Sequence, residues 1–247
     1  MTRLRVGVIV PTFQDTPEPA LAAAHAAVAA GVDGLFCYDH LWPMGQPERP
    51  ALAPFPVLGA LAAEFALADE SNQDRPYIGT LVARIGLVPE AVLINQFTAL
   101  ATLAPGRVIA GLGTGDTLSA EENLAYGIPY PSAAERRAAL VEVGRALVTH
   151  GVRVWVAGGL AARIVEAQAV GAALNVWDAL PEVVAERATG PDALEVTWGG
   201  PAPESAEALA DTVDGLAGAG ASWAVFGWPV DVDALVAAAA ASEDDQA

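Results

Sequence analysis

The segment Ala104-Pro-Gly-Arg-Val-Ile-Ala-Gly-Leu-Gly-Thr-Gly-Asp116 is the part of this sequence that decides the fold. It opens with the turn Pro105-Gly106 and continues as Val108–Leu112, a short run that is apolar on both faces. Such a run is typical of a strand buried in a parallel sheet. It ends in glycines and a carboxylate, which suit a ligand site at the carboxyl end of a barrel strand. A tight turn followed by a solvated acid explains the same residues, and on this segment alone it is slightly favoured.

Outward from this segment, strand and helix patterns alternate along the chain. The predicted strands are Arg5–Val10, Gly34–Tyr38, Tyr77–Val82, Val108–Leu112, Arg153–Val156, Ala173–Trp177, Leu194–Trp198 and Trp223–Phe226. The predicted helices are Pro19–Ala30, Val57–Ala68, Pro89–Leu103, Ala133–Thr149, Leu160–Val170, Pro181–Ala188, Ser205–Ala217 and Val232–Ala241, with a loop over Gly113–Pro131. Strict alternation means parallel strands joined by helical crossovers. Eight such units predict an α/β fold, a single compact (β/α)8 TIM barrel domain over residues 1–247, with a doubly wound sheet as the alternative.

The composition narrows the classes of function. The formal net charge of −18 argues against nucleic acid and anionic membranes as partners. All twelve basic residues are arginine, which excludes Schiff-base lysines and the P-loop lysine. A lone cysteine, Cys37, and the lack of a signal-peptide pattern lead us to expect a cytoplasmic protein. The three histidines are far apart in the sequence, so no metal site is predicted.

The ends of the predicted strands supply the candidate site. Asp39 and His40 follow the second strand, and His40 is the only histidine at a carboxyl end, where an imidazole can move a proton near neutral pH. Asp116 is the candidate acid, with helix or loop capping equally compatible. The turn Ala157-Gly158-Gly159 opens a helix whose free N–H groups could hold a phosphate. Tryptophans also follow strand ends, where they either pack in the core or line a flat aromatic ligand site: Trp42, Trp177, Trp198 and Trp228.

Several motifs in the same order resemble those of the bacterial luciferase-like superfamily. They are Gly31-Val-Asp-Gly-Leu-Phe-Cys-Tyr-Asp39-His40-Leu41, Ile78-Gly-Thr-Leu-Val82, Leu103-Ala-Pro-Gly-Arg-Val-Ile-Ala-Gly-Leu-Gly-Thr-Gly-Asp116, Tyr126-Gly-Ile-Pro-Tyr130, Val154-Trp-Val-Ala-Gly-Gly159 and Ala219-Gly-Ala-Ser-Trp-Ala-Val-Phe226. The fourth-strand motif is most similar to the branch that uses the deazaflavin coenzyme F420, such as F420-dependent glucose-6-phosphate and secondary-alcohol dehydrogenases. The resemblance covers most of the chain.

The resemblance implies an enzyme, an oxidoreductase that exchanges a hydride between the deazaflavin C5 and a small organic substrate. It implies that His40 is the proton-transfer base and that Asp116 is the second catalytic residue. The implied contacts to the cofactor come from Asp39, from Thr80, Leu81 and Val82, from Thr114 and Gly115, and from Ala157, Gly158 and Gly159. A bulge in Thr80–Val82, often with a non-proline cis peptide, is a further implication.

The sequence departs from the family pattern in three places. Asp116 stands where the dehydrogenases commonly carry Glu, and Ser119 matches a family asparagine. The insertion that usually precedes the seventh helix is nearly absent, which leaves the substrate class open, as well as the choice between monomer and homodimer. Two alternatives to the F420-dependent enzyme therefore stay open: an FMN-dependent monooxygenase of the same superfamily, and a non-catalytic protein that binds a flavin or deazaflavin.

Overall fold

A closed barrel of eight parallel strands forms the centre of the protein. The computed structural model describes residues 3–66, 75–157 and 161–244. The strands are β1 (Arg5–Ile9), β2 (Gly34–Cys37), β3 (Tyr77–Arg84), β4 (Val108–Gly113), β5 (Arg153–Ala157), β6 (Ala173–Trp177), β7 (Val196–Gly200) and β8 (Trp223–Gly227). Each strand pairs with its neighbours in chain order, and β1 closes the barrel against β8. The predicted (β/α)8 barrel is confirmed, and the doubly wound alternative is wrong.

The helices cover the outside of the barrel. Those within the described residues are α1 (Glu18–Ala30), α2 (Pro54–Leu61), α3 (Glu90–Leu103), α4 (Thr117–Ala125), α5 (Ala133–Thr149), α6 (Ala161–Val170), α7 (Pro181–Thr189), α8 (Ala206–Gly218) and α9 (Val232–Asp244), and a π-helical turn, Ala62–Ala66, continues α2. In the described part of the chain, none of the helices has the length and apolar character needed to cross a membrane.

Several predicted boundaries differ from the observed ones; the third strand, for example, extends to Arg84 rather than ending at Val82. The segment predicted as a loop, Gly113–Pro131, contains helix α4, which Asp116 caps by accepting a hydrogen bond from the Ser119 backbone N–H. The seventh strand begins at Val196 rather than Leu194 and extends to Gly200, since Gly199 pairs with both β6 and β8 and Gly200 pairs with β8. The link between β7 and α8, the seventh of the predicted helices, runs only from Pro201 to Ser205, as expected from the nearly absent insertion.

The pairing of β3 with β4 is irregular where the site begins. The register between these strands shifts between Thr80 and Ala83, which is the bulge that the resemblance implied. A cis peptide bond joins Leu81 to Val82 within it. The neighbouring backbone of β4 lies so close that a Cβ on Gly111 would sit 2.2 Å from the Thr80 carbonyl oxygen. Glycine is therefore required at this position of β4.

Aromatic side chains fill the interior of the barrel. Phe36 stacks on Trp155 with ring centroids 5.2 Å apart, and Trp223 packs 5.4 Å from Trp155. These rings belong to a buried cluster that also contains Ile9 and Ile109. Among the described residues, this cluster fills the interior of the barrel and leaves the carboxyl ends of the strands to form a cavity.

Candidate active site

A cavity of about 500 Å³ opens at the carboxyl end of the barrel, and we call it the His40 cavity. Its described lining comes from the loop after β1, from the ends of β2 to β6 with the loops that follow them, and from helices α4 and α6. The lining residues are Phe13, Tyr38, Asp39, His40, Met44, Leu81, Val82, Arg84, Gly113, Thr114, Gly115, Asp116, Ser119, Ala157, Arg163, Asn175 and Trp177. The two predicted catalytic residues, His40 and Asp116, therefore share one cavity.

His40 is held by a carboxylate that the sequence did not single out. Its Nδ1 lies 2.7 Å from Oε1 of Glu122, on helix α4, and the backbone N–H of Leu41 donates to Oε2 of the same carboxylate at 3.0 Å. Glu122 is buried, whereas 28% of the His40 side chain is exposed. The hydrogen bond with Glu122 raises the pKa of His40 above its ordinary value, although burial opposes this shift. Because Nδ1 is occupied, Nε2 is the ring nitrogen that can serve a ligand.

Arg84 joins His40 and Asp39 into one buried network. Its guanidinium donates to Oε2 of Glu122 at 2.9 Å and to the Ser119 carbonyl at 3.1 Å, and its backbone N–H donates to Oδ2 of Asp39. Burial raises the pKa of Asp39, partly offset by the positive charge of Arg84. Burial raises the pKa of Glu122 too, but its hydrogen bonds with His40, Leu41 and Arg84 outweigh this and lower that pKa overall. The network fixes the position of the imidazole from behind.

Asp116 has a structural role as well as a place on the cavity wall. Its Oδ1 accepts hydrogen bonds from the backbone N–H of Ser119 at 2.9 Å and from the Ser119 hydroxyl at 3.0 Å. Partial burial opposes ionisation, yet these bonds and the nearby His40 lower the pKa of Asp116 overall. Asp116 is thus an anionic acceptor at neutral pH. The preceding Gly115 has a φ of +68°, and the Cβ of any other residue there would meet the Tyr130 hydroxyl at 2.7 Å.

Two arginines bring positive charge to Thr114, on the side of the cavity formed by β4 and β5. Arg163, from α6, donates to the Thr114 hydroxyl and pairs with Glu166. Arg136, from α5, donates to the Thr114 carbonyl at 2.6 Å and lies 3.9 Å from the centre of the Tyr130 ring. Only Arg163 of these two lines the cavity. Arg163 is one of only twelve basic residues in a chain whose formal net charge is −18.

The predicted cofactor contacts fall into three groups. Those that line the His40 cavity are Asp39, Leu81, Val82, Thr114, Gly115 and Ala157. Thr80 lies away from the wall, because its side chain is buried and its hydroxyl donates to the Gly111 carbonyl at 2.8 Å. Gly158 and Gly159 lie outside the described residues.

The four tryptophans do not form one ligand surface. Trp198 is buried in the core and donates to the Ala179 carbonyl at 2.9 Å. Trp42 is also buried and stacks on Tyr126 with centroids 6.0 Å apart. Trp177 and Trp228 instead line open space at the barrel mouth. In residues 3–66, 75–157 and 161–244, no cluster of His, Cys, Asp and Glu side chains could hold a metal ion.

The protein is a (β/α)8 barrel with a cavity at its carboxyl end, and comparisons with known proteins show which sequences and structures it is similar to. No protein-family model matches the sequence. An F420-dependent glucose-6-phosphate dehydrogenase of Beutenbergia cavernae is 35% identical over 136 residues, which are 55% of this chain and 37% of that protein. The matched part thus spans less than half of this relative's length.

Solved structures agree on the fold. The structure of an F420-dependent secondary alcohol dehydrogenase in complex with an F420-acetone adduct superposes with a TM-score of 0.70 at 16% identity, covering 96% of this chain and 98% of the other. A monooxygenase from Streptomyces bottropensis superposes with a TM-score of 0.67 at 12% identity, covering 97% and 98%. The chain has the (β/α)8 fold of these structures, and its sequence is similar to that of F420-dependent dehydrogenases.

Proposed function

We propose that this protein is an F420-dependent oxidoreductase that acts on a small organic substrate. The observation that carries the proposal is the convergence of His40 and Asp116 in one cavity at the open end of the barrel. The sequence similarity to F420-dependent dehydrogenases supports this choice of cofactor over FMN.

The described lining of the His40 cavity fits a flat cofactor with an anionic tail. Leu81 and Val82 present an apolar wall to the cavity, and Gly113 lies against Val82, where a Cβ would come within 2.6 Å of its Cγ2. Arg163 adds a cation at the edge, where phosphate groups of a tail would need one in an otherwise acidic protein. A deazaflavin bound here supplies the carbon that accepts or returns a hydride.

The protein itself supplies the proton chemistry. Nε2 of His40 takes the proton of a substrate hydroxyl when the alcohol is oxidised, or returns it when a carbonyl is reduced. Glu122 stabilises the imidazolium that forms in the first direction, through its hydrogen bond at 2.7 Å. Asp116 is ionised, so it acts as a hydrogen-bond acceptor towards the bound cofactor rather than as an acid.

A pair of titrations tests the proposal. F420 and FMN are titrated separately into the purified protein, and binding is followed by cofactor fluorescence. We expect F420 to bind at least about tenfold more tightly than FMN, a difference of about 1.4 kcal/mol. A His40→Gln variant should keep F420 affinity and lose about 10²-fold to 10⁴-fold in the rate of F420 reduction by an alcohol substrate. Tighter binding of FMN, or no binding of either cofactor, would overturn the proposal.

A further inference from the structure

A second cavity, of about 690 Å³, lies beside the His40 cavity at the carboxyl ends of β7 and β8, and we call it the β7–β8 chamber. Tyr38 and Trp177 line both cavities, and their rings meet edge to face with centroids 6.2 Å apart. The Tyr38 ring also lies 6.3 Å from the imidazole of His40. A molecule in the chamber is therefore separated from His40 by little more than one aromatic ring.

The two cavities differ in the charged side chains that line them. The described wall of the chamber combines apolar groups, including Leu209 and Trp228, with the carboxylates of Glu204 and Asp231. No arginine is among its described lining residues, and the whole sequence has no lysine. The His40 cavity, in contrast, offers the cations Arg84 and Arg163 beside the carboxylates of Asp39 and Asp116.

Tyr38 adds a neutral polar group at the junction. Burial raises the pKa of its phenol to about 12, so the hydroxyl stays protonated at physiological pH. It can donate a hydrogen bond to a hydroxyl or carbonyl group, but it brings no positive charge that would hold a phosphate.

We propose that the β7–β8 chamber receives the substrate of the oxidoreductase proposed above, and that it admits uncharged or cationic organic molecules and rejects phosphate esters. A phosphate dianion would lose hydration without gaining a cation, while facing Glu204 and Asp231. A cation or an apolar ring can instead lie against Trp228 and Trp177. The relative from Beutenbergia cavernae is named for a phosphorylated sugar, glucose 6-phosphate. The proposal therefore gives this protein a different class of substrate from the one in that relative's name.

Three probes that share a cyclohexyl ring and differ in charge test the preference of the chamber. Cyclohexanol, cyclohexylammonium and cyclohexyl phosphate are titrated into the cofactor-free protein by isothermal calorimetry. We expect the first two to bind and the phosphate to bind at least about tenfold more weakly than either. Equal or tighter binding of the phosphate overturns the proposal, and so does failure of both the neutral and the cationic probe to bind.

Matched variants test the location and the charge. Ala206→Phe places a ring in the chamber and should abolish binding of cyclohexanol, whereas Ala210→Phe, on the same helix but outside the described lining, should not. Glu204→Arg should strengthen binding of cyclohexyl phosphate by about tenfold, and Glu207→Arg, with the same charge change outside the lining, should not. Identical effects of each variant and its control would place the probes elsewhere and overturn the proposal.

The same samples separate this proposal from the function on which it rests. F420 affinity is measured by fluorescence for each variant. If F420 fails to bind while the probes keep the expected order, the oxidoreductase function fails and the chamber's preference stands. If F420 binds and the order is reversed, only the substrate class is wrong.

Discussion

Oε1 of Glu122 lies 2.7 Å from Nδ1 of His40, although the two residues are 82 positions apart in the sequence. Helix α4 carries Glu122 against the loop after β2, where Arg84 holds the second carboxylate oxygen at 2.9 Å. This arrangement fixes which ring nitrogen of His40 meets a ligand, and it favours the protonated ring. A partner carboxylate of this kind orients the histidine and stabilises its charge, so both effects can be measured.

Replacing Glu122 with Gln should lower the pKa of His40. The amide keeps an acceptor for Nδ1 but removes the charge that stabilises the imidazolium. Alcohol oxidation needs the unprotonated ring, so the rate should rise as pH passes through the His40 pKa, and this inflection should move to lower pH in the variant. Proton NMR titration of the His40 ring measures the pKa directly. Glu121→Gln, an exposed neighbour on α4, is the control, and an unchanged His40 pKa in E122Q would contradict the assignment.

The raised pKa of His40 also makes folding stability depend on pH. The ordinary value is 6.5, and protonation is easier in the folded protein. The stability that His40 protonation contributes is fully present below the ordinary pKa, and it is lost as pH rises through the pKa of His40 in the folded protein. The stability advantage of the wild type over His40→Gln should therefore be largest at acidic pH and shrink as pH rises above about 6.5, as measured by urea unfolding. In an E122Q background the trend should be weaker, and an advantage that grows with pH would contradict the assignment.

The barrel could be predicted from the sequence because its signals are local. Apolar runs such as Val108–Leu112 and glycine or proline punctuation repeat in strict alternation, and sterically only parallel strands with helical crossovers satisfy that order. The predicted start of the seventh strand at Leu194 was wrong, because an apolar residue that precedes a strand has the same local pattern as the strand itself. The end of β7 depends on pairing of Gly199 and Gly200 with neighbouring strands, which no local pattern contains.

Local signals in the sequence predict part of the site, whereas the rest of the site depends on tertiary structure. Asp39, His40 and Asp116 follow strands directly, so their shared end of the barrel is a consequence of the topology. The sequence does not single out Glu122, because Gly113–Pro131 has a high content of glycine, proline and polar residues and its pattern predicts a loop. Asp116 followed three residues later by Ser119 was a usable capping signal for α4. The position of Arg163 depends on tertiary packing.

Gly111 should be one of the positions of the barrel least tolerant of substitution. A methyl group there would lie 2.2 Å from the Thr80 carbonyl oxygen, so β3 or β4 must move. We expect Gly111→Ala to lower the free energy of unfolding by about 2–4 kcal/mol in urea denaturation. Gly59→Ala is the matched control, because nothing lies within 4 Å of the added methyl in helix α2. That change should raise stability by about 0.5–1 kcal/mol, and a loss at Gly111 no larger than about 0.5 kcal/mol would contradict the tight contact.

Arg163 should contribute to cofactor affinity. Its guanidinium lines the His40 cavity and donates to the Thr114 hydroxyl. If it also contacts phosphate of the bound cofactor, Arg163→Gln should weaken F420 binding by roughly tenfold or more, since charge-assisted hydrogen bonds contribute about 1.5–3 kcal/mol. The loss should be largest at low ionic strength. Arg153→Gln, at the amino end of β5, removes the same charge from the other end of the barrel and should leave the affinity unchanged. If the two variants bind F420 equally tightly, Arg163 does not contact the cofactor.

Asp116 combines a cap with a place on the cavity wall, and two substitutions separate these roles. Asparagine can still accept the hydrogen bond from the Ser119 backbone N–H, whereas alanine cannot. Asp116→Ala should therefore lower the free energy of unfolding by about 1 kcal/mol, and Asp116→Asn by only a few tenths.

Activity should follow the charge of Asp116 rather than the cap. Its lowered pKa keeps the carboxylate ionised at neutral pH, so both substitutions remove the anion from the cavity. We expect both to slow F420 reduction by about tenfold or more, because each lacks an acceptor of full negative charge. Stopped-flow measurement at saturating F420 separates this effect from weaker cofactor binding. If Asp116→Asn were as fast as the wild type while Asp116→Ala were unstable, the carboxylate would be a helix cap alone and His40 would act without it.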